Sequence, residues 1–209
     1  VLDAIAILQL ELRLTGQQQM VRIDARVISP LSTIDQWSAL HCKTVFTPAR
    51  CLNLHGEYYL HRDFNGNHAS AGALFIAENC DPDDSDNVII YGHHMNSGKM
   101  FAALNKYKKQ FFYEEHKRIV YETLHGQEIY EVMFAFTTPV YTGHDFAYYA
   151  FSKANSAEEY DAYISACRER TLYDTGVTAQ YGDKLLTLST CEYSQKNGRM
   201  VVVARKINE

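Results

Sequence analysis

A mainly β fold with a few peripheral helices is predicted by three features of the 209-residue sequence. Seven short runs rich in β-branched and aromatic residues follow one another from residue 58 onward, each bounded by turn formers. Only two segments after residue 56 show helical spacing instead. The composition forms one regime, 46% hydrophobic with 15 Tyr, 11 Gly and 4 Pro. That is enough apolar material for one buried core, and it excludes a disordered or linker-dominated chain. Seven short strands in about 150 residues suggest a barrel or a sandwich.

Val1 to Leu14 is apolar but interrupted by Asp3, Gln9, Glu11 and Arg13. It is too interrupted to span a bilayer and lacks the basic start and small-residue cleavage site of a signal peptide, so it is read as an amphipathic helix within a helical segment over 1–30. Residues 15–56 show no sustained period, with Ser29-Pro30 and Thr47-Pro48 as breakers. Strands are then expected at 58–60, 73–77, 87–91, 118–123, 128–137, 184–190 and 199–207. Met100, Leu104 and Tyr107 give helical spacing within 99–110. A second helix is expected over 156–170, with Asn155 or Ser156 as cap, acids in its first turn, and Tyr160, Tyr163, Ile164 and Cys167 on one face. With no repeat and no second composition regime, one domain spanning 1–209 is expected, its barrel over 57–209.

Net charge is −5 at pH 7. A basic excess or stripe is missing, so no nucleic-acid partner is expected. Asp81-Pro82-Asp83-Asp84-Ser85-Asp86 lacks the spaced ligands and the glycine of a calcium loop and is read as a solvated loop. The five cysteines, Cys42, Cys51, Cys80, Cys167 and Cys191, contain no CxxC, which excludes a zinc ribbon or a thioredoxin-type pair. Being odd in number, they leave at least one thiol without an internal partner. Cys167 belongs to a helix face and Cys80 to a loop edge.

Three residues stand where strands run out. His93 follows the apolar run Asn87 to Gly92, Cys191 follows Lys184 to Thr190, and Arg199 opens the last strand after a turn marked by Asn197-Gly198. If the last two strands are antiparallel neighbours, Cys191 and Arg199 face each other across the mouth of one hairpin. A thiolate can attack a carbonyl, an imidazole can move the proton, and a guanidinium can hold the oxyanion. His94 and His93 point to opposite faces of an extended chain, so they do not form a joint metal site, and His94 is read as a supporting or exposed residue.

Tyr91-Gly92-His93, Thr187-Leu188-Ser189-Thr190-Cys191 and Asn197-Gly198-Arg199 together resemble the His, TLxTC and Arg motifs of the sortases. The stretch from Tyr58-Tyr59-Leu60-His61-Arg62-Asp63-Phe64 through Met95-Asn96-Ser97-Gly98-Lys99-Met100-Phe101 to the C-terminus resembles class B. The resemblance covers about 150 residues. It implies a closed barrel of about eight strands with an N-terminal helix and a helix between the sixth and seventh strands (the β6/β7 connection of the family). It implies a cysteine transpeptidase, with Cys191 as nucleophile, His93 as general acid and base, Arg199 on the oxyanion, and Ser189, Thr190 and Glu192 along the signal groove. Similar enzymes cleave an NPxTx-type sorting signal after Thr and pass the acyl group to an amine of peptidoglycan or to a pilin Lys. No metal or other cofactor is implied. The implied location is the extracytoplasmic face of a Gram-positive membrane, with an anchor in the full-length protein that is absent from this chain. In that setting a disulfide between Cys42 and Cys51 stays open. The segment around Trp37 departs from the family pattern. The papain order of Cys before His and the caspase Q-A-C-x-G signature are missing. A non-catalytic peptide-binding barrel with Cys191 simply buried remains the alternative, together with a pilin-polymerising enzyme.

Overall fold

The computed structural model describes residues 58–62, 67–123, 126–140, 143 and 146–207, together with four short strands ahead of them. Those are β1 (Ile5–Ala6), β2 (Leu10–Arg13), β3 (Met20–Asp24) and β4 (Val27–Ile28). Then come β5 (Phe75–Ile76), β6 (Asn87–Tyr91), β7 (Arg118–Thr123), β8 (Gly126–Pro139), β9 (Leu185–Glu192) and β10 (Gly198–Ile207). Helices α1 (Gln110–Glu115) and α2 (Ala157–Arg170) are joined by 3-10 turns at Tyr58–His61, Phe101–Lys108 and Tyr148–Ala150. The fold is mainly β, as expected.

Eight strands form one sheet in the order β2-β3-β7-β8-β10-β9-β6-β5, and β1 pairs with β4 apart from it. Pairing is antiparallel except for β3 with β7 and β6 with β9. The sheet is curled: Ile119 and Tyr121 of β7 share one core cluster with Val88 and Ile90 of β6, although three strands separate them in the order. No pair joins β2 to β5 among the described residues, so these two strands stand at the ends of the order.

Both faces of the sheet are buried along β8, β10 and β9. On β10, Met200, Val202 and Ala204 face the inner cluster while Val201 and Val203 face a second one covered by α2. Burial on both sides explains the unbroken apolar run of that strand. Between Val203 and Ala204 the register slips, so that Met133 of β8 has no opposite number. At this bulge two successive residues, Met133 and Phe134, turn to the second cluster, and the alternation resumes with Ala135 inward and Phe136 outward. α2 begins where the sequence places it. Ser156 is its N-cap, with Oγ accepting from the Glu159 N–H at 3.3 Å, and the buried stripe is Tyr160, Tyr163, Ile164 and Cys167. It lies between β8 and β9, the sixth and seventh strands of the eight-stranded sheet in chain order, which is the expected connection.

Three expectations are corrected. The N-terminal segment forms strands rather than a helix: β2 pairs with β3 from Leu10↔Ile23 to Arg13↔Met20. The alternation Leu10-Glu11-Leu12-Arg13-Leu14 has the period of a strand, which the apolar content of residues 1–8 obscures. Tyr58 to Leu60 belongs to a 3-10 turn, closed by Ala73 N–H donating to Tyr59 O at 2.9 Å. The Tyr59 ring meets that of Phe75 at 6.3 Å, so a tertiary contact overrides strand propensity. Of the strand expected at 73–77, only Phe75–Ile76 pairs. Cys42, Cys51 and Trp37 lie outside the described residues.

Candidate active site

The site follows from the register of three adjacent strands. β6 runs parallel to β9 with Tyr91 beside Ser189, and the Gly92 N–H continues the ladder to Ser189 O at 3.2 Å. Two residues on, the same face of each chain carries His93 and Cys191. β10 runs antiparallel to β9 on the other side, and Arg199 is the direct partner of Cys191. The structure therefore brings His93, Cys191 and Arg199 to one face at one rim of the sheet, each half-buried. The hairpin mouth expected between Cys191 and Arg199 is present. It closes with Asn197 at φ 54, a left-handed conformation that Asn tolerates. Gly198 next to it is crowded: a Cβ there would meet Glu192 O at 2.5 Å.

Gly92 lets this rim close. A Cβ on it would lie 2.3 Å from Leu74 Cδ2 and 2.8 Å from Phe101 Cδ2, so any side chain there would have to displace these two buried residues. The chain then turns, and the Phe101 N–H donates back to His93 O at 2.9 Å.

The two histidines divide as an extended chain requires. His93 Nε2 donates to Leu60 O at 2.6 Å, and its ring lies 5.9 Å from that of His61. His94 turns the other way. Its Nδ1 lies 3.2 Å from the Cys191 carbonyl oxygen, and its ring stacks on Tyr193 at 5.2 Å. Asn105 Nδ2 lies 3.4 Å from the same carbonyl and 3.1 Å from His94 Nδ1. The backbone of Cys191 is thus held from the side opposite its thiol.

Ser189, Thr190 and Glu192 are all buried. The Ser189 hydroxyl meets Tyr148 OH at 2.7 Å on the face that carries Cys191. Thr190 and Glu192 point to the opposite face. Thr190 Oγ1 donates to Gly92 O at 2.8 Å and ties β9 to the residue before His93. Glu192 accepts from Lys108 Nζ at 2.5 Å, from Ser194 Oγ at 2.6 Å and from the Ser194 N–H at 2.9 Å. Through these bonds Thr190 and Glu192 anchor the strand ends that carry the site.

Asn105 and Lys108, which sequence reading passed over, carry a signal after all. On a 3-10 helix residues three apart share a face, and these two sit beside the apolar Leu104 and Tyr107 at that spacing.

Burial pushes the Glu192 carboxyl up, but its hydrogen bonds from Lys108 and Ser194 outweigh this and bring it down to about 2. Since this lies below its ordinary value of 4.5, the carboxylate stabilises the fold fully above about pH 4.5, and that contribution fades as pH falls toward 2. Glu192→Gln is expected to cost about 1–2 kcal/mol at pH 7, and the gap from wild type should close in acid. Urea melts at pH 7 and pH 3 check this; equal stability at pH 7 would remove the anchoring role.

Among the described thiols, Cys191 stands apart. Cys80 is buried at a loop edge, and burial pushes its thiol up to about 11. Cys167 lies on the α2 stripe, where burial pushes it up to about 12. Cys191 is half-exposed, which removes the basis for reading it as a buried structural thiol. Among the described residues no group of His, Cys, Asp and Glu is arranged to hold a metal ion.

Comparison with known proteins points the same way. Residues 53–207 match the sortase domain family. Sortase B of Listeria monocytogenes serovar 1/2a is 34% identical over 158 residues, 73% of this chain and 61% of that protein, so the match spans about three fifths of the relative's length. The solved Staphylococcus aureus sortase B–substrate complex is similar with a TM-score of 0.66 at 30% identity, covering 73% of this chain and 70% of that one. A sortase B complexed with triglycine gives a TM-score of 0.65 at 30% identity, covering 73% and 71%.

Proposed function

Because this chain belongs to the sortase family, and within it to the class B sortases, we propose that it is a cysteine transpeptidase that joins a surface protein to a cell-wall amine. The observation that carries the proposal is the alignment of His93, Cys191 and Arg199 on neighbouring strands at one rim. The Cys191 thiolate attacks the carbonyl carbon of the Thr in an NPxTx-type signal. The tetrahedral intermediate collapses with loss of the C–N bond, and His93 gives its proton to the departing amine, leaving a thioacyl-enzyme. An incoming amine, deprotonated by His93, then attacks the thioester and restores the thiolate. Arg199, the register partner of Cys191, supplies fixed donors to the oxyanion in both steps.

The peptide substrate is supported by the substrate complex of the Staphylococcus aureus enzyme, and the amine acceptor by the relative complexed with triglycine. Peptidoglycan is the acceptor that fits this chemistry. The place of action is the outer face of a Gram-positive cell membrane, where both partners meet, with the full-length protein anchored there. Among the described residues no helix is long and apolar enough to cross a membrane.

A fluorogenic NPxTx peptide with and without triglycine tests the reading. Cleavage that accelerates with amine and yields a Thr–Gly linked product supports it; no thioester on Cys191 with any sorting-signal peptide would sink it. In the same assay Arg199→Lys is expected to lower kcat by about 10²-fold, because an ammonium keeps the charge but not the planar fork. An unchanged rate would mean that charge alone suffices.

A further inference from the structure

The register of β6, β9 and β10 brings His93 to Cys191 but does not choose which ring nitrogen serves it. The hydrogen bond of His93 does. Its Nε2 lies 2.6 Å from the Leu60 carbonyl oxygen, and a carbonyl only accepts, so Nε2 carries the proton. In the neutral ring the lone pair is then on Nδ1. We infer that the Leu60 carbonyl is the orienting group of His93, fixing it as the Nε2–H tautomer and making Nδ1 the nitrogen that gives and takes the proton; this rests on the reaction proposed above.

The carbonyl is itself held in place. The 3-10 turn Tyr58–His61 is clamped to the following loop by Ala73 N–H to Tyr59 O at 2.9 Å and Ala69 N–H to His61 O at 3.0 Å. Gly72 lies directly against it with φ +59, and a Cβ there would sit 2.5 Å from Tyr59 O, 2.6 Å from Leu60 O and 2.9 Å from the Leu60 carbonyl carbon. The atoms it would meet are all backbone, so a side chain at 72 could enter only by moving the peptide that holds His93. Leu60, through its backbone, and Gly72 are positioning residues.

A base oriented by a third group is a recurring arrangement for activated nucleophiles. A neutral carbonyl fixes the ring as a carboxylate would, without adding a negative charge beside the thiolate and the developing oxyanion. It also assigns both proton transfers to a single nitrogen. Protonation of the ring adds a hydrogen at Nδ1, and that hydrogen is the one delivered to the leaving amine. Nε2 keeps its hydrogen throughout the cycle.

The test is the long-range 1H–15N spectrum of the histidine-labelled protein at alkaline pH, with the His93 signals assigned by His93→Gln. A single Nε2–H pattern is expected, with Nδ1 in the unprotonated range. An Nδ1–H pattern, or shifts averaged between tautomers, overturns the inference. Folded Gly72→Ala should show averaged shifts and a kcat lower by about 10-fold to 100-fold at nearly constant KM. A fixed tautomer with unchanged kcat in that variant would overturn the role of Gly72. Should Gly72→Ala not fold, the wild-type spectrum alone decides. An Nε2–H pattern in a protein that cleaves no sorting signal would count against the proposed reaction while the tautomer assignment stood.

Discussion

Cys191→Ala is expected to reduce cleavage of an NPxTx peptide by about 10⁴-fold or more, with the fold intact. The two halves of this expectation come from different parts of the structure. In the proposed reaction activity is lost because the thiol is the atom to which the acyl group becomes attached, whereas His93 carries the proton through Nδ1 and Arg199 is a cation without a lone pair to offer. Stability is retained because the strand end does not depend on the thiol. The Cys191 carbonyl is held by His94 and Asn105, and the adjoining side chains of Thr190 and Glu192 are bonded to Gly92 and to Lys108 and Ser194. The change in unfolding free energy should stay below about 1 kcal/mol. Mass spectrometry of the wild type with a slowly turned-over signal peptide should find the acyl group on Cys191. Cys80 and Cys167 should stay unmodified, since burial keeps both thiols protonated. Continued cleavage by the folded Ala variant would overturn the assignment of the nucleophile.

What the sequence made legible is what strand ends make visible. His93, Cys191 and Arg199 each adjoin an apolar run, and Asn197-Gly198 marks the turn, so their convergence needed only the pairing of β9 with β10 and of β6 with β9. α2 was legible for the same kind of reason, having a cap, a charged first turn and one apolar stripe. The N-terminal strands were not, because Leu10 to Leu14 alternates over too short a span to stand out from the apolar residues before it. Tyr58 to Leu60 misled in the opposite direction: aromatic content argues for a strand, whereas aromatic packing and a backbone clamp hold a 3-10 turn there. The anchoring bonds of Thr190 and Glu192 were not legible from their closeness to Cys191 along the chain. Strand alternation turns the neighbours of Cys191 away from it, a consequence of the two-residue period of a strand alone. The Leu60 carbonyl had no comparable signal, since every residue carries a carbonyl.

His93→Ala is expected to lower kcat with the NPxTx peptide by about 10³-fold, a smaller loss than removal of the thiol. The difference arises because the imidazole has two tasks that water and added amine can take over in part, whereas the covalent bond has no substitute. Expelling an amine from the tetrahedral intermediate requires a proton, and without Nδ1 that proton must come from solvent. The second step needs less help where the incoming amine is already neutral. The loss should therefore be greatest in formation of the thioacyl-enzyme and should shrink at higher pH for its transfer to triglycine. Single-turnover measurements of acylation and of thioester aminolysis separate the two. Imidazole added in solution should restore part of the activity, since Ala leaves space beside the Leu60 carbonyl that a free ring can enter. KM should change little, because the ring is bonded to the protein's own backbone rather than held free to bind substrate. Near wild-type turnover in the Ala variant, or equal losses in both steps at every pH, would remove His93 from proton transfer and leave Arg199 and Cys191 to be explained without it.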